Sequence, residues 1–125
     1  MNSQLNKSLI ERFSRQIILK DIGTIGQKKI LASKVLIIGV GGLGSPVAEL
    51  LSRAGVGTIG IVDNDKVSLS NLHRQSLYTS LSIGKLKVKI AKEEIKKINN
   101  NIKVKTYRFR LDSKNLKKII SDYDY

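Results

Sequence analysis

The sequence predicts an α/β protein built on a doubly wound, mainly parallel sheet. Val35–Ile38 is a short unbroken apolar run, and Thr58–Val62 is apolar after its first residue, which is typical of strands buried on both faces. Helical patterns alternate with these strands, and that alternation implies crossover connections between parallel strands. The chain has 125 residues, of which 41% are hydrophobic. This is enough for one core and one domain.

The segment before the first strand is predicted to be helical. Apolar residues recur every three or four positions between 5 and 20, which predicts an amphipathic helix there. A second, shorter helix is predicted over Gln27–Ser33. Residues 1–33 therefore form an N-terminal helical segment, and residues 34–125 supply the βα units of the sheet.

Three further helices and a third strand complete the predicted order. The helices cover Ser45–Ala54, Ile83–Ile98 and Asp112–Ser121, and the strand covers Ile102–Phe109. A unit that has just completed a helix should go on to a fourth strand, so we expect a sheet truncated after about three strands. In a doubly wound sheet the fourth strand would lie beside Val35–Ile38. We expect that strand to have an unpaired apolar edge, and the chain alone to be poorly stable.

Composition excludes several classes of protein. The sequence has no Cys, so it contains no disulfide, no cysteine zinc site and no thiol nucleophile. No apolar run approaches the roughly 18 residues that span a bilayer. The N-terminus has no continuous apolar stretch, so we expect no secretory signal, no membrane association and a cytoplasmic location.

The net charge of +13 is concentrated in the second half of the chain. Thirteen basic and three acidic residues lie between Lys85 and Ile120. Nucleic-acid sites are usually richer in Arg and in aromatic side chains than this stretch, which has one Tyr and one Phe. We therefore expect no nucleic-acid partner, whereas an acidic protein partner remains open.

A glycine-rich turn joins the first strand to the helix that follows it. Gly39, Gly41, Gly42 and Gly44 form a G-x-G-x-x-G pattern with one additional glycine. Glycines at such a turn let a phosphate approach the backbone, and the helix N-terminus offers free N–H donors. The pattern predicts a phosphate-binding turn, with a tight turn that binds no ligand as the alternative.

An acidic residue follows at the distance expected for a nucleotide site. Asp63 ends the second strand, nineteen residues after Gly44 (63 − 44), where a carboxylate would accept hydrogen bonds from ribose hydroxyls. Asp65 is a second candidate, or simply a loop carboxylate. These features support an NAD-dependent dehydrogenase and an ATP-using enzyme equally well.

The loop after the second strand favours ATP. It carries Asn71, Arg74 and Gln75, and an Arg offers phosphate oxygens a planar, permanently charged fork. Lys85 and Lys87 lie near the start of the next predicted helix. The helix dipole disfavours a cation at that position, which suggests that an anion binds there.

Taken together, the motifs resemble the ThiF/MoeB/HesA family, bacterial relatives of ubiquitin-activating enzymes. The resemblance covers about residues 10–122 and is carried by Arg12–Ile17, Gly39–Gly44, Asp63–Asp65, Ser70–Gln75 and Gly84–Val88. It implies a Rossmann-like domain that binds ATP and Mg²⁺. It also implies adenylation of the C-terminal glycine of a ubiquitin-like sulfur carrier of the molybdopterin or thiamine type, with release of pyrophosphate.

The resemblance also assigns roles to residues. Those implied to bind the nucleotide are Gly41, Gly42, Asp63, Ser70, Asn71, Arg74, Gln75 and Lys87. The family uses an arginine from the opposite subunit of a homodimer, and this matches Arg15. Attack on the α-phosphorus needs charge neutralisation more than a base, so Arg74, Lys87 and Arg15 are the implied catalytic residues.

The sequence departs from the family in its length. Members of the family continue for about as many residues again. That further part contains an Asp that binds Mg²⁺ and paired Cys-x-x-Cys motifs that bind zinc. We therefore expect this chain to be the N-terminal half of such an enzyme, inactive alone, with no metal ligand of its own. A non-catalytic nucleotide-binding or interaction module is the alternative, and an NAD-dependent dehydrogenase fragment a third.

Overall fold

Three parallel strands form a single sheet in the computed structural model, which describes residues 5–125. The strands are β1 (Lys34–Ile38), β2 (Thr58–Val62) and β3 (Lys103–Tyr107), and they lie in the order β1-β2-β3. The helices are α1 (Lys7–Arg12), α2 (Ser14–Ile17), α3 (Gly23–Ala32), α4 (Gly44–Ala54), α5 (Lys87–Ile98) and α6 (Ser113–Ile119). The predicted α/β architecture with helices before the sheet is confirmed.

One face of the sheet packs against α4 and α5 to form the core. Ile59 and Ile61 of the central strand are fully buried there, against Ala48 of α4 and Ile90 and Ile95 of α5. Successive side chains of a strand point to opposite faces, and β2 is apolar on both faces apart from Thr58. Each large apolar side chain buried in this way contributes about 1.5–3 kcal/mol.

The opposite face of the sheet is covered by the C-terminal segment. Gly60 lacks a side chain where the Tyr123 ring crosses β2, and a Cβ at position 60 would collide with that ring. The Tyr123 hydroxyl lies 2.9 Å from the Tyr107 hydroxyl. Burial and this hydrogen bond raise the pKa of Tyr123, so its phenol keeps its proton.

The last two residues lie along the outer edge of β1. The backbone N–H of Leu36 donates to the Tyr125 carbonyl (2.9 Å), and Tyr125 N–H donates to Lys34 (3.3 Å). The Asp124 carboxylate accepts from the Lys34 N–H. The expectation of a wholly unpaired edge is therefore wrong for 34–36, because the chain returns to this edge. Ile38, at the far end, is 59% exposed.

The single helix predicted over residues 5–20 is wrong, since two short helices meet at Phe13. The Phe13 backbone leaves the helical region at ψ 14°, and its ring is 1% exposed. The ring packs so closely on Gly55 that a Cβ there would collide with it. Burial of Phe13 at the end of α4 thus overrides the continuous helical pattern.

The other helix boundaries also differ from the predicted ones. The helix predicted from Ile83 begins at Lys87, because Gly84 and Lys85 instead exchange backbone hydrogen bonds with Val67. The helix predicted from Gln27 begins at Gly23. No helix in the described range 5–125 is long and apolar enough to cross a membrane.

Candidate nucleotide-binding site

The glycine turn between β1 and α4 depends on glycine at two positions. Gly39 has φ +83°, a conformation that side chains with a Cβ rarely adopt. A Cβ on Gly44 would collide with the Gly39 carbonyl oxygen. The turn therefore closes tightly enough to bring the N-terminus of α4 directly over the end of β1.

Three backbone donors at this turn have no hydrogen-bond partner within the described residues. No acceptor among residues 5–125 lies against the N–H groups of Gly41, Gly42 or Leu43, and no side chain caps α4. The helix has eleven residues, so its N-terminus also carries a partial positive charge. These groups together favour an anion at the turn.

Arg74 and Gln75 lie against the two central glycines of the turn. A Cβ on Gly42 would lie 3.4 Å from Arg74 Nε, and one on Gly41 would lie 3.5 Å from Gln75 Nε2. The Arg74 guanidinium donates to the Ser70 carbonyl at 3.1 Å. This contact holds a permanent positive charge beside the turn.

Gln75 carries an orphaned acceptor. Its side chain is 3% exposed, and Oε1 has no hydrogen-bond partner within the described part of the chain. Leaving a buried polar atom unpaired costs about 1–3 kcal/mol, so native proteins rarely retain one without a ligand or water. The atom indicates that a donor from outside the chain completes this site.

Asp63 joins the end of β2 to the glycine turn. Its Oδ2 accepts from the Val40 N–H at 3.0 Å, and its Oδ1 accepts from the Asp65 N–H at 2.8 Å. Each carboxylate oxygen keeps a second acceptor position, so these bonds fix the carboxylate without exhausting it. Asp63 is therefore placed to accept hydrogen bonds from a ligand beside the turn.

A cavity of about 190 Å³ opens where the three strands end. Gly39, Asp63 and Asp65 line it together with Phe109 and Arg110, which follow β3. Ligand sites of open parallel sheets lie at this carboxyl edge. Sequence reasoning missed Arg110, although its position just after the third predicted strand was a usable signal.

Lys87, the first residue of α5, is a buried lysine with a distant counter-ion. Its side chain is 7% exposed, and Nζ lies 3.9 Å from Oδ2 of Asp65, whose side chain is 66% exposed. A buried ammonium normally has a close anionic partner. The long distance to Asp65 leaves Lys87 suited to a second anion such as a phosphate.

Ser70 and Asn71 form the loop that carries Arg74. The Asn71 Oδ1 accepts from the Ser68 N–H at 2.9 Å and closes the short 3₁₀ turn over Leu69–Asn71. The Ser70 hydroxyl lies 3.1 Å from that of Ser68. These contacts shape the loop, and direct nucleotide contacts by Ser70 and Asn71 stay predictions.

Arg15 lies at the opposite end of α4 from the glycine turn. It is exposed on α2, and its neighbour Gln16 donates to the carbonyl of Ala54, the last residue of α4. Eleven helical residues span about 16 Å. The structure therefore does not bring Arg15 to the other predicted site residues of its own chain.

The fold and this turn define a Rossmann-like domain with a candidate nucleotide site. A parallel sheet ends at a glycine turn that has backbone N–H donors and an Arg beside it. The buried Lys87 lies 3.9 Å from Asp65, which lines the cavity next to this turn. Within residues 5–125 no group of three or more His, Asp or Glu side chains could hold a metal ion.

The chain belongs to the ThiF family, which matches residues 13–125. It is 45% identical over 122 residues to the adenylyltransferase and sulfurtransferase MOCS3 of Aedes aegypti, covering 98% of this chain and 28% of that protein. It is 50% identical over 116 residues to the adenylyltransferase and sulfurtransferase UBA4 of Vanderwaltozyma polyspora, covering 92% and 27%.

A solved structure shares the fold. The crystal structure of Escherichia coli MccB with ATP superposes with a TM-score of 0.78 at 33% identity, covering 94% of this chain and 35% of that one. The chain thus spans between about a quarter and a third of the proteins named here.

Proposed function

We propose that this chain is the nucleotide-binding part of an ATP-dependent adenylyltransferase that activates the C-terminal glycine of a ubiquitin-like sulfur carrier. The observation that carries the proposal is the glycine turn, whose free N–H groups lie beside Arg74 and Gln75. Adenylyltransferase activity in the relatives' names, and ATP in the MccB structure, support the choice of nucleotide.

The reaction consists of one displacement at phosphorus. A carboxylate oxygen of the carrier's C-terminal glycine bonds to the α-phosphorus of ATP, and the bond from that phosphorus to the bridging oxygen breaks. The products are an acyl adenylate and pyrophosphate, which takes the electron pair of the broken bond. Charge accumulates on phosphate oxygens, so fixed positive groups are the main catalytic requirement.

The described side chains divide this work between them. The N–H groups of Gly41 and Gly42 bind phosphate oxygens, and Arg74 and Lys87 neutralise the triphosphate. Asp63 accepts hydrogen bonds from the ribose, since it is fixed beside the turn. Asp65 serves mainly as the counter-ion of Lys87.

Mg²⁺ does not fit the described residues by themselves. No group of three carboxylate or imidazole ligands occurs between residues 5 and 125. We therefore assign no step to the metal.

We further propose that the enzyme is a homodimer in which Arg15 acts on the partner's nucleotide. Arg15 lies about one α4 length, ~16 Å, from its own glycine turn. Meanwhile α4 and Leu43, the residue that precedes it, present an exposed apolar stripe of Leu43, Val47 and Leu50, which are 87%, 45% and 65% exposed. A second copy of the chain would cover this stripe and bring its Arg15 to the turn.

Two measurements test the proposal. The first is calorimetric titration of the chain with ATP and with NAD, and binding of ATP in preference to NAD is the expected result. Preference for NAD would support a dehydrogenase instead. The second is ATP–pyrophosphate exchange, with and without a ubiquitin-like carrier ending in Gly-Gly. Carrier-dependent exchange by a longer protein containing this domain supports adenylation, whereas ATP binding without exchange in that protein supports a non-catalytic module.

A further inference from the structure

The carbonyl of Val40, at the start of the glycine turn, is held by two buried hydroxyl groups. The Tyr78 hydroxyl donates to it at 2.6 Å, and the Ser45 hydroxyl donates at 3.2 Å. Tyr78 is 5% exposed and Ser45 is fully buried. The N–H of the same residue donates to Asp63, so both polar atoms of Val40 are fixed by side chains from other parts of the chain.

Fixing this carbonyl also sets the direction of the next donor. In a trans peptide the C=O of one residue and the N–H of the next point to opposite sides, and the described residues contain no cis peptide. Because the Val40 carbonyl turns inward to Tyr78 and Ser45, the Gly41 N–H points away from the core. That side of the turn is half exposed, and it is where an anion would bind.

Tyr78 belongs to a segment that contacts three successive residues of the turn. Arg74 lies against Gly42, and Gln75 lies against Gly41. Tyr78 then bonds to Val40. One segment, 74–78, thus packs along the turn from its open side to its buried side.

Tyr78 is well suited to act as a permanent donor. Burial raises the pKa of its phenol, and the negative charge of Asp63 raises it further. The hydroxyl therefore keeps its proton throughout the physiological pH range, and the bond to Val40 does not switch with pH.

We propose that Tyr78 is a positioning residue for nucleotide phosphates, acting by aiming the Gly41 N–H outward through its hydrogen bond to the Val40 carbonyl. This inference rests on the proposed nucleotide-binding function. Tyr78 touches no ligand in this arrangement. Removing its hydroxyl should therefore weaken the binding of nucleotide phosphates and leave the affinity for the nucleoside unchanged.

The test compares Tyr78→Phe with Tyr123→Phe in the full 125-residue chain. Both variants lose one phenol hydroxyl that forms a hydrogen bond, but Tyr123 lies over Gly60, on the face of the sheet opposite α4. Calorimetry gives the affinity of each variant for ATP and for adenosine. Thermal melts show how much stability each variant loses.

For Tyr78→Phe we expect roughly 5- to 20-fold weaker ATP binding, with adenosine affinity changed by less than about twofold. For Tyr123→Phe we expect both affinities to stay within about twofold of the unmodified chain. A Tyr78→Phe chain that binds ATP normally would overturn the proposal. So would one that loses adenosine affinity as strongly as ATP affinity.

A ligand-free measurement separates this inference from the proposed function. In ¹H–¹⁵N spectra without nucleotide, the Gly41 amide signal should move in Tyr78→Phe and stay in place in Tyr123→Phe. If the unmodified chain binds no ATP but this signal moves as expected, the proposed function is wrong, whereas the role of Tyr78 in orienting the turn is supported. If Tyr78→Phe leaves the Gly41 signal unchanged, Tyr78 does not orient the turn and the inference is overturned.

Discussion

Replacing Lys87 by Met should weaken ATP binding without destabilising the fold. The Lys87 side chain is 7% exposed, and its nearest carboxylate is 3.9 Å away on an exposed Asp65. Burying an ammonium costs free energy that so long an ion pair offsets poorly. Met has a similar length and no charge, so it removes the desolvation cost and keeps most of the packing.

The magnitude follows from the contact that the nucleotide would lose. A hydrogen bond to a charged group contributes about 1.5–3 kcal/mol, which corresponds to a Kd for ATP about 10- to 150-fold weaker. The free energy of unfolding without ligand should stay the same or rise by up to about 1 kcal/mol. A lysine with a purely structural role would show the opposite pattern, with lower stability and little change in affinity.

Lys85→Met supplies the matched control. Lys85 precedes Lys87 by two residues and is exposed, so its removal changes the net charge equally. Calorimetric titration with ATP and a thermal melt are recorded for both variants. The reasoning is refuted if Lys85→Met loses the larger share of ATP affinity, or if Lys87→Met binds ATP normally but melts several degrees lower.

Three further predictions concern the triphosphate, the dimer and the sheet edge. Arg74→Ala should weaken ATP binding by about 1.5–3 kcal/mol and AMP binding much less, as measured by calorimetry; equal losses would place the guanidinium away from the β- and γ-phosphates. In a longer protein with exchange activity, Arg15→Ala and Arg74→Ala subunits should recover activity when mixed, because a mixed dimer has one complete site; no recovery after verified subunit exchange would exclude action across the dimer. The chain alone should associate through the open end of β1 and lack exchange activity. Ile38→Lys should reduce that association, since charged residues block edge pairing. The prediction is contradicted if light scattering shows that the unmodified chain is already a clean monomer.

The sequence was informative wherever local pattern determined structure. The strands β1 and β2 were predicted within one residue, because each is a short, mostly apolar run with a glycine directly after or before it. The carboxylate of Asp112, the residue before α6, accepts from the N–H groups of Lys114 and Asn115 and so caps that helix. A cap depends only on the next three residues, so such a signal is visible in sequence.

Contacts between distant residues account for what was missed. Phe13 breaks its helix because of Gly55, 42 positions later (55 − 13). Val67 delays the start of α5 by bonding to Gly84 and Lys85. Both effects are tertiary, and helical periodicity carries no information about them.

In the candidate site, too, local patterns are visible in the sequence and contacts between distant residues are not. Gly39 to Gly44, Asp63, Arg74 and Lys87 lie in segments with recognisable spacing, whereas Tyr78 lies in a loop without periodicity. Its partner Val40 is 38 positions away (78 − 40). The orphaned Oε1 of Gln75 is likewise a property of the packed structure, so only the structure could reveal it.

The most direct test of nucleotide binding at the glycine turn is the change in amide signals of the ¹⁵N-labelled chain on addition of ATP. The account predicts the largest shifts at Gly41, Gly42 and Leu43, whose N–H groups have no partner within the described residues. Adenosine should leave these three signals nearly unchanged. Shifts confined to the lysines of α5, with the glycine signals unmoved, would contradict the central claim, because ATP would then bind only to the basic surface.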